Sequence, residues 1–138
     1  MANEFARNIQ DASLNPVALA LPSAASTTVT GAAVDLGTDT VKPEEVEVNV
    51  YVPGLSDTIL PSTRTMTVIV ETSTTSNFAT VVRTILSKTF TGAGAGAGAS
   101  NTRCRVPSGC EQYIWLKITS GASTTDASAV SALLTLRF

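Results

Sequence analysis

Glu45 and Glu47 stand two residues apart where acids alternate with valines, so on an extended chain both carboxylates share one face. Glu44 and Glu71 could lie near them. Two carboxyl groups at a suitable separation can cleave a glycosidic bond, one as acid and the other as base or nucleophile. Acids that alternate along a strand far more commonly form its solvated face, and that is the reading adopted. The chain has no histidine. This removes the commonest general base, the Ser-His-Asp and Cys-His arrangements, and histidine-based metal sites. Asp35, Asp39, Asp57 and Asp126 sit within two residues of Gly, Thr or Ser, where an aspartate caps its own backbone. No D-x-D-x-D-G run points to calcium. The run T-G-A-G-A-G-A-G-A, residues 91–99, lacks the Gly-Lys-Ser/Thr ending of a phosphate-binding loop. No catalytic, metal-ligating or cofactor-binding residue is therefore assigned, and the chain is read as non-enzymatic.

Cys104 and Cys110 flank R-V-P-S-G, a spacing that fits neither C-x-x-C redox chemistry nor a multi-cysteine zinc site. Two readings stay open: small thiols on either side of a tight turn, or a local disulfide with a modest entropic gain from its short loop. The remaining candidates are aromatic. Aromatic residues are only 5% of the chain, yet Tyr113 and Trp115 fall on one face of a strand. They either pack beneath the N-terminal segment or a long loop, or form an exposed pair that anchors an interface, where Tyr and Trp are enriched.

Charge narrows the partners. Formal net charge is −2 and no basic run occurs. Neither nucleic-acid binding by phosphate neutralisation nor a polybasic membrane patch is expected. No apolar run approaches the ~20 residues of a membrane helix. The opening M-A-N-E-F-A-R-N-I-Q-D is polar and mixed in charge, unlike a secretory signal, so synthesis in a cytoplasm is expected.

The elements that carry these residues read as strands. The 138 residues suit one domain, and 43% are hydrophobic while 14% are charged, against a usual ~25% charged. Branched and hydroxylated side chains fit a pleated surface. Residues 1–26 read as an N-terminal arm with Phe5, Ile9 and Leu14 as interface candidates, because Pro16 and Pro22 stop any long helix. Residues 27–138 read as one sandwich domain. Strands are predicted over 27–36, over 45–52 with Val46, Val48, Val50 and Val52 inward, and over 65–72 with Met66, Val68 and Val70 on one face. Further strands are expected over 83–90, 102–106, 112–119 and 127–137. The spacing in 78–90 fits a short helix as well as a strand. In the last two strands Ile114, Leu116 and Ile118, and then Val130, Ala132, Leu134 and Leu136, face inward. Gly92, Gly94, Gly96 and Gly98 lie in the 91–99 segment, read either as a flexible loop or as one that orders only against a neighbour. The sum is an all-β, two-sheet, jelly-roll-like sandwich with an extended N-terminal arm.

Several motifs occur in a suggestive order: R-N-I-Q-D-A (7–12), V-D-L-G (34–37), M-T-V-I-V-E-T-S (66–73) and N-F-A-T-V-V (77–82). The glycine-rich segment follows, then P-S-G-C-E-Q-Y-I-W-L-K-I (107–118) and T-T-D-A-S-A-V-S-A-L-L (124–134). Over most of its length the chain resembles the small β-sandwich decoration, or cement, proteins of tailed-phage capsids. The Gly-Ala segment and the two cysteines depart from that pattern. The resemblance implies a non-enzymatic clamp on the virion's capsid surface, bridging copies of the major capsid protein as a dimer or trimer. It also implies that the arm docks on a neighbouring subunit. Two other readings of such a sandwich are a carbohydrate-binding or adhesin-like module using Tyr113 and Trp115, and a tail-associated structural protein.

Overall fold

The computed structural model describes residues 17–36, 46–107, 109–122 and 124–137. Glu44, Glu45, Asp39, Phe5, Ile9 and Leu14 lie outside the described residues. Among the described residues nine strands form: β1 (Val17–Ala20), β2 (Thr28–Thr30), β3 (Val34–Asp35), β4 (Glu47–Val52), β5 (Thr65–Ser73), β6 (Val81–Thr91), β7 (Ser100–Arg105), β8 (Tyr113–Ser120) and β9 (Ser131–Arg137). They make two antiparallel sheets, ordered β1-β9-β4-β7 and β2-β8-β5-β6, with β3 also paired to β8. β2 and β3 act as one interrupted strand along β8. The chain then pairs like one long ribbon folded on itself: first strand with last, second with seventh, third with sixth, fourth with fifth. Winding that ribbon so that β9 meets β4 and β8 meets β5 gives the jelly-roll order.

Alternation decides which side chains meet between the sheets. Val48, Val50 and Val52 of β4 are buried, as are Met66, Val68 and Val70 of β5, Ile114, Leu116 and Ile118 of β8, and Ala132, Leu134 and Leu136 of β9. Val130 is half-buried and packs against this core. Each fully buried Val, Leu or Ile contributes about 1.5–3 kcal/mol of transfer free energy. The stretch 78–90 resolves as strand: β6 spans 81–91 and pairs along β5 with register shifts opposite Val70/Glu71 and Thr72/Ser73. These irregularities give the edge strand extra twist.

Two local features differ from the sequence reading. β1 lies within the segment read as an arm. Val17–Ala20 is hydrogen-bonded to β9, and Leu19 and Leu21 belong to the core. Pro16 and Pro22 bracket this four-residue strand, and proline at a strand's margin is compatible with an edge position. The Gly-Ala segment is ordered against its own chain. Ala93 and Gly96 exchange two 2.9 Å backbone hydrogen bonds, and Leu55 and Ala97 exchange two of 2.8 Å. Gly96 has φ +83°, a left-handed residue that closes the two-residue turn between Ala93 and Gly96. A Cβ there would stand 1.9 Å from the Leu55 carbonyl oxygen, and one at Gly92 would stand 2.2 Å from that of Pro61. Gly94 and Gly98 have nothing within 4 Å of such an atom.

Candidate interaction surface

Of the candidate carboxylates, Glu47 and Glu71 are described, and they lie in different sheets. Glu47 lies on the outer face of the β1-β9-β4-β7 sheet, half-buried, 3.7 Å from the Arg103 guanidinium. Glu71 lies on the outer face of the opposite sheet and is only 5% exposed. Its Oε2 accepts a 2.9 Å hydrogen bond from Trp115 Nε1, and its Oε1 accepts from Lys117 Nζ. Glu71 points away from the core as the alternation requires, yet it is covered rather than solvated.

Phe78 lies in the loop that joins β5 to β6. Its ring stacks on Trp115 at 3.9 Å between centroids, 7° from parallel. Phe78 holds φ 52°, an uncommon conformation for a bulky residue. The loop is fixed by Phe78 N–H to Thr75 O at 3.1 Å and Ser73 Oγ to Thr80 O at 2.8 Å. Trp115 is therefore half-buried with one ring face occupied, packed under a loop as one sequence reading had it. Tyr113 is also half-buried and sits opposite Asp35 and Ser73.

A second polar cluster ties the edge of this sheet to the segment before β8. Arg83 donates from Nη2 (2.9 Å) and Nε (3.2 Å) to Glu111 Oε1, while Thr72 Oγ1 donates to Glu111 Oε2. Burial alone would raise the Glu111 carboxyl. The hydrogen bonds from Thr72, its own backbone and Arg83, with the Arg83 charge, outweigh it and hold the group below its ordinary range. The Cys104 thiol is pushed up, first by burial and then by the Glu47 charge. No disulfide joins Cys104 to Cys110. Among the described residues, no group of three or more His, Cys, Asp or Glu is placed to hold a metal ion.

The most extended feature is one that the strand-by-strand reading missed. Thr28 pairs with Thr119, Thr119 with Thr67, and Thr67 with Thr89. These four threonines form a rank across all four strands of the β2-β8-β5-β6 sheet, roughly 14 Å long at the usual strand spacing. Thr28 and Thr119 hydroxyls bond at 2.9 Å, and Thr67 and Thr89 hydroxyls at 3.0 Å. Thr65 and Thr91 make a paired row beside it. The signal in the sequence is T-x-T repeated at 28–30, 65–67 and 89–91, with the middle residue apolar each time. The exposed large hydrophobics among the described residues are Tyr51, Val81 and Val82, the last two at the start of the edge strand β6. Gly94 and Gly98 lie on the open side of the Gly-Ala hairpin, while Gly92 and Gly96 are packed against the chain.

No protein family, curated protein or solved structure matches the chain.

Proposed function

We propose that this is a non-enzymatic structural protein that binds and reinforces the outer surface of a phage capsid by bridging copies of the major capsid protein. The observation that carries the reading is the threonine rank. It makes an uncharged strip of methyl and hydroxyl groups, backed by a hydrogen-bonded sheet, with the neighbouring Lys117 already neutralised by Glu71. Such a surface offers shape and hydrogen bonding to a protein partner rather than a reactive group. Individually weak contacts of this kind gain through repetition on a lattice. The motif resemblance supports the capsid as that lattice. Self-association as a dimer or trimer is part of the proposal, and the open edge of β6 with Val81 and Val82 at its start supports it, since an unpaired edge is a template for another chain. The glycan-binding alternative needs an open aromatic face, and Phe78 occupies one face of Trp115. Binding to expanded heads that lack this protein tests the proposal, with a Thr67→Arg variant to probe the rank.

A further inference from the structure

We propose that the edge of β7 takes up an extended segment of another protein in which acidic and apolar residues alternate, adding it as a further strand to the β1-β9-β4-β7 sheet. This edge belongs to the sheet opposite the threonine rank, and the placement does not depend on the capsid reading. β7 is a regular edge. It pairs with β4 over six consecutive residues, from Arg105 opposite Glu47 to Ser100 opposite Val52, without a register shift, whereas β6 carries two. Its hydrogen bonds define the open side. Val106 N–H donates to Val46 O at 2.8 Å in continuation of that register. Antiparallel residues alternate between bonding the neighbouring strand and facing away from it. Ser100, Thr102 and Cys104 therefore bond β4, and Asn101, Arg103 and Arg105 turn their N–H and C=O groups outward. Among the described residues no strand pairs with β7 on that side.

The side chains select the partner. Asn101, Arg103 and Arg105 are exposed on the outer face, while Ser100, Thr102 and Cys104 are half-buried on the core side. Arg103 and Arg105 stand two residues apart, about 7 Å along the strand. Among the described residues Arg103 has one carboxylate nearby, Glu47 at 3.7 Å, and Arg105 forms no ion pair. Lys88 Nζ, held by Ser100 Oγ at 3.0 Å, brings a third cation to this edge. A second copy of β7 would bring the same cations, and like charges across a strand pair are destabilising. An acidic strand instead repeats what β4 already does, since Glu47 lies opposite Arg105 in register and reaches diagonally to Arg103. Carboxylates two residues apart on the incoming strand share the spacing of the arginines, so one faces each. Its alternate residues fall beside Thr102 and Cys104, and Cys104 packs against the core, so small apolar side chains fit there.

The probe is a short fluorescein-labelled peptide alternating glutamate with valine, titrated into the full-length protein at neutral pH and low salt. Anisotropy measures binding and amide hydrogen exchange locates it. The expected result is saturable binding, severalfold tighter than for the same peptide with lysine in place of glutamate, with slowed exchange at Asn101, Arg103 and Arg105. Added salt and Arg105→Glu, a change at an exposed position, should each weaken it severalfold. N-methylation of the peptide's glutamates keeps the charges but removes the N–H groups that would bond the Arg103 and Arg105 carbonyls. It should abolish binding, and this control requires no protein variant to fold. Equal binding of the glutamate and lysine peptides, no binding at millimolar peptide, or slowed exchange at another edge would overturn the proposal. Self-association of the unliganded protein that slows the same three amides would give the edge to a second copy and equally overturn it.

Discussion

The rings of Phe78 and Trp115 lie nearly parallel, 3.9 Å apart, although Phe78 must take a left-handed backbone conformation to reach Trp115. The contact closes the loop between β5 and β6 over the outer face of the sheet, and beneath it the Trp115 indole N–H is fixed by Glu71. Stacking and burial together offset the backbone cost.

The chain contains a single tryptophan, so its fluorescence reports this contact directly. Phe78→Ala is expected to shift Trp115 emission to longer wavelength and to lower stability by about 1–3 kcal/mol. Emission unchanged from the parent would show that Phe78 does not cover Trp115 in solution.

Lys117 neutralises a carboxylate that is almost wholly buried. Lys117→Met leaves Glu71 without its cation and is expected to destabilise by roughly 3 kcal/mol in urea unfolding. Adding Glu71→Gln should recover much of that loss, because the neutral amide can still accept from Trp115. Equal stability for Lys117→Met and the double variant would contradict the pairing.

The Gly-Ala hairpin separates its glycines into two classes. Gly96→Ala forces a side chain into a left-handed residue and against the Leu55 carbonyl, with an expected cost above ~1 kcal/mol. Gly94→Ala meets open space and should change stability by no more than ~1 kcal/mol. Thermal melts of the two variants check the ordering; a hairpin free in solution would show no difference.

Acid should act partly through Glu111. Its carboxyl lies below the ordinary value of 4.5 in the folded chain, so the unfolded chain binds the proton more readily. The resulting stabilisation is fully present above that ordinary value and is lost as pH falls through the folded value. Glu111→Gln is therefore expected to be less stable than the parent at neutral pH, with the gap narrowing as the solution is acidified. Urea titrations at a series of pH values measure it; a constant gap would refute the assignment.

The two-sheet architecture was legible because it rests on local alternation. Val46, Val48, Val50 and Val52, and likewise Ile114, Leu116 and Ile118, can be read two residues at a time, and all are buried. β1 was not, because its outward positions are Ala18 and Ala20 and carry no polar alternation. The stacking of Phe78 on Trp115 was hidden because Phe78 arrives from a loop whose path depends on the fold. The threonine rank joins residues 28, 67, 89 and 119, and only the register of three strand pairs brings them into line. Recurrent T-x-T is local and readable; its alignment is a property of the sheet.

Co-sedimentation with expanded phage heads that lack this protein tests the central claim most directly. The account predicts saturable binding at a fixed ratio to the major capsid protein, and weakened binding by Thr67→Arg with its fold preserved. Absence of binding to heads verified as expanded, at micromolar protein and low salt, would contradict it.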